Sequence, residues 1–246
     1  MRDFRSTEQP PWMTALVCAA VVLAMTAPAG AQMPSCTTLG SPQCAPATFG
    51  DSGQFQVGDL VKSKCCARQV VSHGIMPLCG GDMFCPQTNV TRGDMAVFLE
   101  DARHPTATSL PAAIGVFADV PIAFPLACWI EVFYNDGITA GCGTNPLRYC
   151  PDSSVSRAEM AVFILKAKKP PGYAPPNCDP QHPMFADVPC PSGFAVNWIE
   201  EFARECITAG CGGGNFCPTG TVTREQMGIF LWNAFVTSSP CTASCS

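Results

Sequence analysis

One pattern, written three times along the chain, limits what it can fold into more than any other feature. The second copy reads Gly137-Ile138-Thr139-Ala140-Gly141-Cys142, then Tyr149-Cys150-Pro151, then Val155-Ser156-Arg157-Ala158-Glu159-Met160-Ala161-Val162-Phe163-Ile164. The third reads Ile207-Thr208-Ala209-Gly210-Cys211, Phe216-Cys217-Pro218 and Val222-Thr223-Arg224-Glu225-Gln226-Met227-Gly228-Ile229-Phe230. The first reads Gly74-Ile75-Met76-Pro77-Leu78-Cys79, Phe84-Cys85-Pro86 and Val90-Thr91-Arg92-Gly93-Asp94-Met95-Ala96-Val97-Phe98-Leu99. The arginines stand 65 and 67 residues apart, and in every copy the second cysteine precedes its arginine by seven positions. Such spacing does not arise by chance. A unit of roughly 60 residues buries too little surface to be secure alone, so the copies are expected to pack together and share one core.

Each copy has the same local reading. Upstream, Phe117-Ala118-Asp119-Val120 matches Phe185-Ala186-Asp187-Val188, and Trp129-Ile130-Glu131 matches Trp198-Ile199-Glu200. The first copy keeps only Phe49-Gly50-Asp51 and has Cys65-Cys66 where the second has Cys128-Trp129, so it is the degenerate one. The spacing predicts a first helix, Trp129 to Asn135 in the second copy, stopped by Gly137 in a left-handed conformation. A glycine-rich loop follows and closes on Cys-Pro. The second helix is predicted to start at the Ser or Thr of a capping box, formed by Ser156 with Glu159, Thr223 with Gln226 and, more loosely, Thr91 with Asp94. Proline-rich connectors, 104–111 and 170–183, read as stiff and partly extended.

Composition then narrows the function classes. With 47% hydrophobic and 13% charged residues the chain is too apolar to be disordered. A net charge of -5 without a run of Lys or Arg argues against nucleic acid as a partner. The N-terminus has the form of an export signal, residues 1–31: Arg2 and Arg5 precede an apolar run from Met13 to Ala27, and Ala29-Gly30-Ala31 supplies small residues before Gln32. The run is shorter than the roughly 20 residues that span a bilayer, so no span is expected in the mature chain, an uncleaved anchor being the alternative. Cys18 leaves with the signal, and the remaining cysteines are even in number and bound for an oxidising compartment. Disulfides are the first reading. Zinc competes weakly, because a Cys-x2-Cys knuckle occurs nowhere.

The cysteines bracketing the loops, Cys79/Cys85, Cys142/Cys150 and Cys211/Cys217, are most simply local disulfides. Cys190 and Cys206 flank the first helix of the third copy and form a further candidate pair. Spacing alone assigns no partner to Cys36, Cys44, Cys65, Cys66, Cys128, Cys178, Cys241 or Cys245.

Phe-x-Asp-Val, Trp-Ile-Glu, Gly-Ile-x-x-Gly and Val-Thr/Ser-Arg-x-Glu-Met together resemble the S-layer homology repeat, which occurs in tandem threes. The resemblance divides the chain into an N-terminal cysteine-containing segment 32–48, a degenerate repeat 49–103, repeats 117–169 and 185–236, and a cysteine-containing tail 237–246. It implies a mainly α fold: helix-loop-helix repeats packed as one pseudo-threefold, disulfide-stapled domain. It also implies a non-catalytic module that binds an anionic cell-envelope polysaccharide and anchors at the cell surface, with other surface proteins as further partners. Paired cysteines are unusual for wall-anchored members, which suggests a different envelope, and no separate domain for such repeats to tether is visible. A self-assembling structural protein of the outer surface is the alternative.

Arg92, Arg157 and Arg224 are the first candidates for ligand contact. Each sits at the first turn of a helix, where free N–H groups and the helix dipole favour an anion, and a guanidinium can grip a carboxylate with two hydrogen bonds. Asp51, Asp119 and Asp187, the recurrent acids of Phe-x-Asp, belong to the same candidate set; the competing reading makes them salt-bridge partners of the arginines. Trp129 and Trp198 either stack on sugar rings or lie in the core. Glu159 has a sufficient task as a capping residue. His73, His104 and His182 lack metal-ligand spacing, Gly212-Gly213-Gly214 is not a phosphate loop, and no nucleophile elbow is present, so neither catalysis nor a cofactor is expected.

Overall fold

Three capping boxes decide where half of the helices begin. Thr91, Ser156 and Thr223 accept the N–H of Asp94, Glu159 and Gln226, whose side chains return a bond to the N–H of the cap. Thr91 and Asp94, the loosest match in sequence, close the box as fully as the others. The computed structural model describes residues 48–58, 60–105 and 109–237. The export signal 1–31 with Cys18, residues 32–47 with Cys36 and Cys44, and residues 238–246 with Cys241 and Cys245 lie outside the described residues.

The described residues form α1 (Leu60–Ser72), α2 (Arg92–Arg103), α3 (Ala127–Asn135), α4 (Arg157–Lys168), α5 (Val196–Arg204) and α6 (Arg224–Leu231), the last running into a π-turn, Trp232–Val236. A two-residue hairpin, β1 (Gly143–Thr144) with β2 (Leu147–Arg148), is the sheet among them. The fold is mainly helical. Helix α3 starts earlier than the apolar spacing predicts, because a turn in which the Ala127 N–H reaches the Phe124 carbonyl leads directly into it. None of the described helices is long and apolar enough to cross a membrane.

Helices pair between consecutive segments. α2 packs on α3, α4 on α5, and α6 returns to pack on α1. The backbone makes the same circuit: the Val90 N–H donates to Val222 O, Val222 to Val155 O and Val155 to Val90 O, at 2.8, 3.2 and 3.0 Å. All three valines are buried, so this closed ring ties the starts of α2, α4 and α6 together in the apolar interior. Around it, Phe49 meets Phe84, Phe117 meets Tyr149 and Phe185 meets Phe216, with ring centroids 5.2, 5.4 and 5.4 Å apart.

The connector 170–183 is pinned. Residues 170–183 are held through the Cys178–Cys190 disulfide, a 2.9 Å bond from the Cys178 N–H to Asn197 Oδ1, and a 2.6 Å bond from the Tyr173 hydroxyl to Glu201. Glu131 gathers the approach to the second segment, accepting the N–H groups of Ile114, Gly115 and Val116 at 2.7, 2.7 and 3.0 Å.

Candidate functional site

The loop of each segment is built around its aspartate. Asp51 accepts the N–H groups of Phe84 and Cys85, Asp119 those of Tyr149 and Cys150, and Asp187 those of Phe216 and Cys217, all between 2.6 and 3.1 Å. Cys85, Cys150 and Cys217 have φ of 54°, 58° and 60°, a left-handed conformation that non-glycine residues adopt at a cost. Two charge-assisted bonds and a disulfide hold that conformation. The bridges Cys79–Cys85, Cys142–Cys150 and Cys211–Cys217 close these loops. At the loop entrance a Cβ on Gly141 would come within 2.4 Å of Arg148 O, and one on Gly210 within 2.3 Å of Asn215 O, so the turn accepts only glycine there.

These aspartates are therefore loop clamps, and among the described residues none of them forms a salt bridge with Arg92, Arg157 or Arg224. Both carboxylate oxygens of each already serve the backbone. A correction concerns Cys190 and Cys206: Cys190 is bonded to Cys178, which lies on the connector that folds back over α5, and Cys206 is disulfide-bonded elsewhere. Cys128 is disulfide-bonded as well, whereas Cys65 and Cys66 are buried in α1.

The N–H groups at the helix starts are also consumed. Those of Arg92 and Gly93 donate to Ser153 and Pro151, those of Arg157 and Ala158 to Gly220 and Pro218, and those of Arg224 and Glu225 to Thr88 and Pro86. Each helix start is thus capped by the Cys-Pro loop of another segment. The expected free anion site of backbone donors is absent at all three.

The arginines are pressed into the same joints, with relative exposures of only 4, 4 and 7% for Arg92, Arg157 and Arg224. Each Nε donates to a loop carbonyl, Tyr149 O, Phe216 O and Phe84 O respectively, at 2.9, 2.7 and 2.8 Å. Each guanidinium lies between two rings: Tyr149 and Phe163, Phe216 and Phe230, Phe84 and Phe98. Their remaining charge is handled differently. Arg92 pairs with Glu159 at 2.9 Å, and Arg224 donates to Pro77 O at 2.6 Å in the field of Asp94 and Asp51. Arg157 forms no salt bridge among the described residues, and its Nη2, like that of Arg92, is buried without a hydrogen-bond partner. Burial pulls the Arg157 pKa below its ordinary value while Asp187 pulls it back up; the group stays cationic.

Arg157 lines a groove of about 750 Å³ between the start of α4, the third loop and α6. Lys62 from α1 is a second cation on its wall, and Gln226, Asn233 and Thr208 supply polar groups. Ile229 and Phe230 make part of it apolar. None of the described lining residues is a carboxylate, in a chain whose net charge is -5. Sequence reasoning missed Lys62, Gln226 and Asn233. For Gln226 a signal existed, since it is the neutral member of an otherwise acidic capping position, but its meaning depends on which arginine it faces.

The tryptophans divide. Trp129 is buried at 4% exposure beside Asp101, which corrects its proposed role in stacking on a sugar. Trp198 is half-buried, edge-on to Tyr173 with centroids 6.2 Å apart, outside the groove. Glu159 caps α4 and holds Arg92.

Comparison with known proteins bears on this arrangement at one place. No curated protein matches the chain. Residues 68–96, which run from α1 through the first loop, its disulfide and the capped start of α2, match the family model of the S-layer homology domain. Over residues 68–96 the chain is therefore similar to the S-layer homology domain.

Proposed function

We propose that the chain is an exported, non-catalytic surface module that holds an anionic polysaccharide of the cell envelope in the groove over Arg157. Segments 49–103, 117–169 and 185–236 are, in this reading, copies of one unit about a pseudo-threefold axis. The ring of valine hydrogen bonds and the circuit of helix pairs support that arrangement. The observation that carries the function is the groove itself: a buried guanidinium with no salt bridge among the described residues, a lysine on the same wall, and apolar side chains on which a sugar face can rest. An acidic group of the polymer takes the guanidinium, and the neighbouring sugars lie along the apolar wall. Such a site binds and positions; it contains no acid-base pair aligned for turnover.

Co-sedimentation of the protein with the acidic polysaccharide purified from the producing organism's envelope tests this. Arg157→Met, which keeps the stem between Phe216 and Phe230, is expected to lower binding about tenfold or more, with its melting transition recorded alongside. An uncharged glycan should not sediment the protein. Ordered oligomers formed without polysaccharide, together with no sedimentation, would instead establish the self-assembling surface protein.

A further inference from the structure

The three arginines differ in the residue found at the capping position of the helix that follows each around the ring. Arg92 meets Glu159, the third residue of α4, in a 2.9 Å salt bridge. Arg224 lies in the field of Asp94, the third residue of α2, and spends an Nη donor on Pro77 O. At the corresponding place Arg157 shares its groove with Gln226, the third residue of α6, which is neutral. Glu159, Asp94 and Gln226 perform the same capping task on their own helices, so capping alone does not require the difference.

We propose that Gln226 is the residue that makes the chain a single-site binder: it leaves Arg157 without a carboxylate at the capping position of the next helix, whereas Glu159 pairs with Arg92 and Asp94 adds its charge to the field at Arg224. The proposal rests on the reading of the Arg157 groove as the polysaccharide site. A carboxylate in place of Gln226 would offer Arg157 an internal partner with the same side-chain reach, and an acidic sugar would have to displace it. Burial strengthens the effect. A desolvated guanidinium between two rings gains more from the first anion that reaches it than an exposed one does, and that anion is either the protein's own or the ligand's.

The experiment is calorimetric titration of the full mature chain with size-fractionated acidic fragments of the same envelope polysaccharide, using Gln226→Glu and Glu159→Gln. Both exchanges place at one capping position a residue that already caps a neighbouring helix, so folding is expected to survive, and far-UV circular dichroism with thermal melting checks it. Wild type is expected to bind one fragment per chain. Gln226→Glu should weaken binding about tenfold or more, while Glu159→Gln, the opposite exchange at the other joint, should not weaken it. Unchanged affinity in folded Gln226→Glu, equal loss in both variants, or three equivalent sites in the wild type would overturn the role of Gln226 and leave the polysaccharide reading standing. Absence of any binding by the wild type overturns both.

Discussion

At the scale of single residues, the energetically exposed positions are two adjacent acids in α2. Burial pushes both Glu100 and Asp101 up to about 7, in Glu100 against the opposing pull of Arg103 and with Asp136 adding to the rise, in Asp101 against a smaller pull from Trp129. Glu100 is faced by Arg103 at 3.0 Å and His104 at 3.4 Å, with Asp136 on the same guanidinium. Because these folded-state pKa values lie above those of an unfolded chain, roughly 4, the folded protein binds protons that the unfolded chain has released between about pH 4 and pH 7. Stability contributed by these groups is therefore present at the acid end of that window and is lost as pH rises through it. Thermal melting is expected to move upward from pH 8 to pH 5.5. Asp101→Asn, neutral at every pH, should flatten that dependence and raise stability at pH 8 on the order of 1 to 3 kcal/mol; a variant whose pH dependence matches wild type would show that Asp101 is not the source.

The loop is the element on which the groove depends. Between Cys211 and Cys217 the chain is Gly212-Gly213-Gly214-Asn215-Phe216, with high backbone freedom and one apolar anchor, and a ring this short gains on the order of 2 to 3 kcal/mol from its disulfide. Cys211, Cys217 and Gly220 line the groove, and Phe216 and Gly220 accept bonds from the side chain and N–H of Arg157. Loss of the bridge therefore loosens the wall before it loosens the helices, whose own capping boxes and apolar faces are untouched. Mild reductant is expected to abolish polysaccharide binding while most of the far-UV helical signal remains. Binding retained with every cysteine shown to be reduced would place the ligand away from these loops.

For the whole molecule the circuit has a consequence that no single segment carries. The starts of α2, α4 and α6 are capped by loops of other segments, each valine of the ring donates to a valine of another segment, and α6 packs on α1 at the far end of the described chain. Removing one segment opens the ring at both of its joints, stranding buried N–H groups and the arginine that spanned them. A chain truncated after residue 169 is thus expected to lose cooperative unfolding altogether, in place of melting as two intact thirds; a sharp transition with near-native enthalpy per residue would show that the segments are independent. Arg157 and the third loop would be separated in such a chain, so its groove would be lost as well.

What was legible in the sequence is local or periodic. The second helix of each segment could be located because Thr91, Ser156 and Thr223 with their third residues satisfy backbone groups within one turn, and the loop disulfides because their cysteines are six or eight residues apart. The joints were not legible, since they connect residues such as Arg157 and Phe216, 59 positions apart, or Arg224 and Phe84, 140 apart, and nothing near an arginine in sequence says which loop will arrive there. Arg92 and Arg224 therefore read as open anion sites when they are engaged inside the protein, and the aspartates as arginine partners when they hold the turns. Tertiary structure alone decided that Gln226 would line one groove with Arg157, because a capping side chain serves its own helix by sequence but meets other elements only when the fold closes.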